Sequence, residues 1–153
     1  TFVEFGVEFN CAEQFMMAAK AKVFGDDETY DLIMQEQMPN SQKALGRKVK
    51  GFNKLVWDEI ARDYVTLGNV NKFTQDHKFL KFMHDNDDSY FVEASPYDKI
   101  WGIGMKAGDP GIDDPKNWDG TNWLGECLNR ARDIILNNDV EELERLRKDL
   151  DWR

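Results

Sequence analysis

An acid and an amine, Glu13 and Lys20, stand seven residues apart in the stretch from Asn10 to Phe24. Seven residues is close to two turns of an α-helix, so the pair shares a face at roughly 10 Å of axial separation. A carboxyl group and an amine presented on the edge of a core helix are the parts of acid–base and nucleophilic chemistry. The same residues also have a plainer reading, as a cap and a solvated lysine. Asn10 can cap the helix, and Glu13, three positions on, completes a capping-box pattern.

Other chemistry-bearing residues lie further along. Residues 37–57 carry Lys43, Arg47, Lys48, Lys50 and Lys54 with no acid among them. In a chain this acidic, that is either a cationic patch of the kind that holds phosphate or a solvated segment between helix ends. Asp98 and Trp101 follow Ser95-Pro96, and five glycines and two prolines fall within residues 102–120, a long irregular loop of the kind that carries functional groups. Gly102 and Gly104 make no dinucleotide fingerprint, because a third glycine is misplaced and no βαβ unit surrounds them. Residues 85–89 lack the glycine and glutamate of a calcium loop and read as a turn. His77 and His84 have no third ligand at metal spacing and read as surface histidines, so no metal is expected.

The elements that must position these groups are mostly helical. Phe2, Val3, Phe5, Val7 and Phe9, broken by Gly6, predict two short strands joined by a tight turn. Ala12, Phe15, Met16, Ala19 and Val23 form an apolar stripe at helical spacing, stopped by Gly25-Asp26-Asp27. Short helices are expected at 29–35 and, capped by Asn40 or Ser41, through Leu45. The longest runs from Phe52 to Asn71 with Leu55, Val56, Ile60, Tyr64 and Leu67 inward, and Trp57 as core or pocket wall. Thr74 can cap a helix through Met83 with Phe79 and Leu80 inward, and residues 90–94 read as a strand. Thr121 or Asn122 caps a helix to Leu136 that buries Leu124, Leu128, Ile134 and Ile135. Asn138 and Glu141 start a last, charged helix at 138–150, whose thin seam of Val140, Leu143, Leu146 and Leu150 suits a peripheral packing element. The expected fold is mainly α: an orthogonal multi-helix single domain over residues 1–153 with a small β element.

Bulk properties narrow the function. With 153 residues and 41% hydrophobic content, the chain can bury a sizeable core. A net charge of −9 argues against broad, non-specific nucleic-acid binding. Cys11 and Cys127 are isolated and make no disulfide framework, which suits a reducing compartment. No signal-peptide pattern or membrane-length apolar run is present. The expectation is a cytoplasmic protein without a membrane partner, and Thr1 in place of Met suggests that something upstream is missing.

In order and at compatible spacing, from about residue 7 to 136, these motifs resemble the NADAR (YbiA-like) family of N-glycosidases. The residues that carry the likeness are Glu13 and Lys20 in Cys11 to Ala21, Pro39, Ala44 to Arg47, Trp57, and Lys72-Phe73 with Gln75. They continue in Glu93, the run from Ser95 to Gly104, Asn122 to Gly125, and Arg132. Members usually carry an upstream strand with aromatic and asparagine residues that helps line the pocket, and this chain begins after that point. Its insertion around 105–120 is long and can reshape the pocket mouth.

The resemblance implies hydrolysis of the bond between ribose C1 and an amine-bearing base. The family's substrates include phosphorylated ribosylamino-pyrimidine intermediates of riboflavin synthesis and ADP-ribose attached to guanine in nucleic acid. Catalysis is expected from Lys20 as a Schiff-base nucleophile, with Glu13 and Asp98 moving protons. Trp101 and Trp57 would shape the cavity, and Arg47, with Lys48 or Lys50, would hold phosphate. Gly102, Asn122 and Glu93 complete the expected substrate-binding set, and Arg132 either touches ligand or pairs with Glu93. The expected partner is a small nucleotide or ribosylated base, with ADP-ribosylated nucleic acid as a second class; no cofactor is called for, and oligomeric state is not legible. A non-catalytic module that binds ADP-ribose or a nucleotide is the alternative, and an interaction protein docking through its last helix is a third.

Overall fold

A computed structural model describes residues 1–150 and 152. The chain opens with an antiparallel hairpin of β1 (Phe2–Glu4) and β2 (Val7–Phe9), in which Phe2 faces Phe9. Both turn residues have positive φ, 52° at Phe5 and 73° at Gly6, the twist a two-residue hairpin needs. Among the described residues seven helices follow: α1 (Ala12–Val23), α2 (Asp27–Gln35), α3 (Pro39–Gly46), α4 (Lys54–Thr74), α5 (His77–Asp85), α6 (Trp123–Leu136) and α7 (Val140–Asp149). A single 3-10 turn, Pro115–Asn117, interrupts the loop before α6. The mainly α fold with one small β element is therefore as expected.

The core is assembled around α1. Phe15 meets Phe2 and Phe9 at ring-centroid distances of 5.8 and 5.0 Å. Two glycines let neighbouring helices come close: a Cβ on Gly68 of α4 would lie 2.5 Å from the Phe15 ring, and one on Gly46 of α3 would lie 1.9 Å from Met17 Sδ. No side chain fits at either crossing without something moving.

Several boundaries shift for local reasons. The long helix starts later, capped by Asn53, whose Oδ1 accepts the N–H groups of Leu55 and Val56 at 3.0 and 3.3 Å. That start turns Leu55 and Val56 outward, and Trp57, Ala61, Tyr64, Leu67 and Gly68 form the buried side. Thr74 ends α4 rather than capping α5; Asp76 is the cap, and Phe79 is 41% exposed. Asp139 caps α7 in place of Asn138. Residues 90–94 form no strand. Asparagine side chains take the place of a neighbouring strand: Asn129 Oδ1 accepts the Phe91 N–H at 2.9 Å, Asn122 Oδ1 accepts the Glu93 N–H at 2.9 Å, and Asn122 Nδ2 donates to the Phe91 carbonyl at 3.0 Å.

The last helix is peripheral but firmly tied. Leu146 and Leu150 are buried, and the Arg147 guanidinium holds the buried Glu4 carboxylate, with Nε to Oε1 at 3.1 Å. Beyond it, Trp152 stacks between Phe5 and Phe15, at 5.2 and 5.7 Å.

The two glycine crossings differ in what can yield. Gly68→Ala pushes against a ring already boxed in by other rings, so it is expected to destabilise the protein by about 1–2 kcal/mol net of the helix-propensity gain. Gly46→Ala meets the end of a flexible methionine and is expected to cost less. Chemical denaturation of both variants checks the order.

Candidate active site

A cavity of about 500 Å³ opens between α1, α3, α4, α6 and the segment 93–101. Glu13 and Lys20 enter it from α1, Lys43 from α3, Arg47 from the C-cap of α3, and Trp57 from α4. Glu93, Asp98 and Trp101 come from the loop, and Leu124 and Leu128 close the wall from α6. In a chain of net charge −9, this cavity holds more cations than acids.

Glu13 is free to face the cavity because other residues cap α1. The cap residue is Cys11, whose Sγ accepts the Gln14 N–H at 3.5 Å, and Gln14 Oε1 accepts the Asn10 N–H at 2.7 Å. The expected capping box through Glu13 is thus corrected by one position: Gln14 does that work. Burial raises the Glu13 pKa above the ordinary carboxylate value, and the nearby charges of Lys43 and Arg47 pull against the rise. A partly desolvated carboxyl group is a better proton donor near neutrality.

Lys20 is half-buried, with its Nζ 4.3 Å above the centre of the Phe52 ring. Among the described residues no carboxylate pairs with it. Burial lowers its pKa, and the positive charge of Arg47 lowers it further. Both causes favour the neutral amine, the form that attacks carbon. The solvated-lysine reading does not describe this side chain.

Asp98 both caps its turn and lines the cavity. Its Oδ1 accepts the N–H groups of Ile100 and Trp101 at 3.0 and 2.8 Å, which fixes the carboxylate and sets Trp101 beside it. Trp101 meets Trp123 edge-on at 5.5 Å, and the Arg62 guanidinium covers Trp123 at 4.2 Å. Trp57 is 6% exposed and stacks on Tyr64, so it is core and pocket wall at once.

Two expected binding residues, Asn122 and Gly102, do other work, and so does Arg132. Asn122 and Gly102 are buried but do not line the cavity. Asn122 sits in the left-handed conformation, φ 53°, and its amide is spent holding residues 91–93. The Gly102 carbonyl accepts the Asn122 N–H at 3.1 Å, and a Cβ on Gly102 would lie 2.8 Å from the Asp98 carbonyl. Together they shape the loop that carries Glu93 and Asp98. Arg132 does not pair with Glu93 among the described contacts. It bonds the Asp133 carboxylate at 3.1 Å, the Asn86 carbonyl at 3.3 Å and the Ser89 carbonyl, tying α6 to the turn after α5.

On the cationic side, Lys43 accompanies Arg47 at the cavity in place of Lys48 or Lys50. Lys50 instead pairs with Glu28 at 3.1 Å. Asn69, Lys72 and Phe73 also line the cavity, and sequence reading did not place them in the site. The signal was available: Val65, Gly68, Asn69 and Lys72 follow helical spacing along the face of α4 that meets Phe15.

The model of the NADAR domain matches residues 2–136, nearly the whole chain. The chain belongs to the NADAR family. It is 42% identical over 127 residues to N-glycosidase R617 of Acanthamoeba polyphaga mimivirus, covering 82% of this chain and 74% of that protein. It is 36% identical over 131 residues to Protein irg-1 of Caenorhabditis elegans, covering 84% of this chain and 62% of the worm protein. The family match and the viral relative bear out the expectation of an enzyme and support N-glycosidase activity in general. Within the NADAR match fall every cavity residue named above and both cradle residues, Asn122 and Gly102; α7 and Trp152 lie beyond it. Among the described residues no helix is long and apolar enough to cross a membrane, and no cluster of metal-ligating side chains occurs.

Asn122 serves the site through Glu93 and the loop. Asn122→Ala removes two hydrogen bonds and a left-handed residue suited to its turn, so a stability loss of about 1–3 kcal/mol is expected. Calorimetric unfolding of the variant checks it, and a loss under a few tenths of a kcal/mol would show that the segment holds its shape without the clamp.

Proposed function

We propose that this chain hydrolyses the N-glycosidic bond between ribose C1 and an exocyclic amine of a base, through a Schiff base on Lys20. The observation that carries the proposal is a half-buried amine, without a carboxylate partner among the described residues, that shares one cavity with Glu13, Asp98 and Trp101. Ribosylamino-pyrimidine phosphates and ADP-ribosylated guanine are the substrate classes, with Arg47 and Lys43 meeting the phosphate.

The steps balance as follows. A proton from Glu13 reaches the ring oxygen, the C1–O bond opens, and C1 becomes an imine to the base nitrogen. Neutral Lys20 Nζ adds to C1. The base nitrogen takes a proton and leaves, and C1 is now doubly bonded to Nζ. Asp98 accepts a proton from water as that water adds to C1. Collapse expels Lys20 as the amine and frees the sugar as an aldehyde, which closes to the hemiacetal. Trp101 and Trp57 give the flat base an apolar wall.

The non-catalytic ADP-ribose-binding module is less well supported, because binding a phosphorylated sugar needs no half-buried amine sharing a cavity with two acids. Base release over time separates the two readings.

Trapping tests the covalent step. Incubation with a ribosylated substrate and borohydride is expected to add the reduced sugar mass to the Lys20 peptide, and Lys20→Ala is expected to lose at least a hundredfold in base release. Full activity in Lys20→Ala would discard the Schiff base and leave Glu13 and Asp98 as a carboxylate pair.

The pH profile tests the proton assignments. Activity needs Lys20 neutral and Glu13 protonated, so the rate rises from low pH, levels off above the Glu13 pKa, and falls above the depressed Lys20 pKa. In Glu13→Gln the rate, though lower, is expected to go on rising until Lys20 is neutral and then stay level. A variant profile that keeps the wild-type plateau and alkaline fall would remove Glu13 as the acid.

A further inference from the structure

We infer that the face of the Phe52 ring holds the positive charge on Lys20 Nζ through the covalent stage of the reaction, first as an ammonium and then as a protonated Schiff base. The inference rests on the Schiff-base reading of the site and adds to it the residue that stabilises the cationic intermediate.

Two demands on Lys20 conflict. As a nucleophile the amine must be neutral, and burial together with the charge of Arg47 favours that form. A Schiff base reacts readily with water only while its nitrogen holds a proton, and the same burial and the same guanidinium disfavour that cation. In the hydrolytic step the water oxygen bonds to C1, the C=N electron pair moves onto Nζ, and the water proton passes to Asp98. Without its own proton, Nζ would have to take that pair as an anion. Among the described residues no carboxylate forms an ion pair with Lys20. The ring offsets the cost: Nζ lies 4.3 Å from the centre of Phe52, within the range at which the negative face of an aromatic ring attracts a cation.

The chain fixes that ring from both sides. Phe52 stands between Gly51, at φ 75°, and Asn53, the cap of α4. Phe24, at the end of α1, meets it edge-on at 5.4 Å. With 43% of its surface exposed, Phe52 is no core residue, and it does not line the cavity. Core packing leaves its place unexplained; the amine explains it. Phe52 therefore acts through Lys20, positioning the nitrogen and its charge.

The test uses ribose 5-phosphate with cyanoborohydride, which reduces a protonated Schiff base, and follows the added sugar mass on the Lys20 peptide across pH. At acid pH the amine starts as an ammonium, so the ring favours start and product alike. Wild type and Phe52→Leu are there expected to be trapped at the same rate. At alkaline pH the amine starts neutral, only the Schiff base gains from the ring, and trapping in Phe52→Leu is expected to fall about threefold to tenfold. Phe52→Tyr restores the wild-type curve. Trifluorophenylalanine in place of Phe52 keeps the shape but weakens the negative face, so it is expected to follow Phe52→Leu. The charged groups around the amine are Glu13 on α1, Lys43 and Arg47 at α3, Lys72 on α4, and Glu93 and Asp98 on the loop. They are the same in every chain, so a difference reports position 52.

A fall of equal size at every pH would make Phe52 a packing residue and overturn the inference. Undiminished alkaline trapping in both the leucine and the trifluorophenylalanine chains would do the same. Because the probe carries no base to release, the expected pattern together with no base release from ribosylated substrates would sink the N-glycosidase reading alone. Base release with Lys20 trapping that ignores position 52 would sink the inference alone. No adduct on Lys20 in the wild type would remove the Schiff base and the inference with it.

Discussion

The close seating of α1 against α3 and α4 is the constraint on which the site depends. Where Gly46 and Gly68 stand, even a methyl group would strike Met17 or Phe15. Because those positions are bare, α1 sinks far enough for Lys20 and Glu13 to border a cavity and not the surface. Packing of the helix therefore limits the solvation of the amine, and that burial lowers its pKa. The step from sequence to chemistry runs through two missing side chains.

The charge pattern follows from the same geometry. The chain as a whole repels anions, yet Lys20, Lys43, Arg47 and Lys72 converge on one space with Glu13, Glu93 and Asp98. Arg47 has two effects there: it disfavours the charged form of Lys20 and opposes the rise in the Glu13 pKa. An anionic group drawn to Arg47 would partly cancel both effects, so protonation of the amine and the acid is coupled to occupancy.

Much of this was legible in the residues. The hairpin, α1 and α6 declare themselves through alternation and helical spacing, and Lys20 and Asp98 stand in motifs that carry the family likeness. What escaped was set by contacts between elements. Leu55 and Val56 read as core by spacing, but they stand exposed in the first turn after the Asn53 cap, while Tyr64 and Leu67 of the same stripe are buried as expected. Residues 90–94 have strand composition but no strand partner, since side-chain amides from α6 fill that place. Asn122 looks like a helix cap or a ligand contact, and it is neither by side chain, because both ends of its amide are taken by residues 91–93. Asn69 lay on a legible helical face and was passed over, because an asparagine on a helix reads as solvated until its neighbours are known.

Trp152 gives the fold a dependence that its family boundaries conceal. The ring sits among Phe5, Phe9, Phe15, Tyr30 and Tyr64, although the matched domain stops at residue 136. A fragment trimmed to that boundary would lose the indole that props Phe15 from behind, and Phe15 is also the partition between this aromatic nest and the cavity. The hollow left by the indole would leave the Phe15 ring unsupported on that side, so the trimmed domain would differ from the full chain in pocket shape as well as in stability.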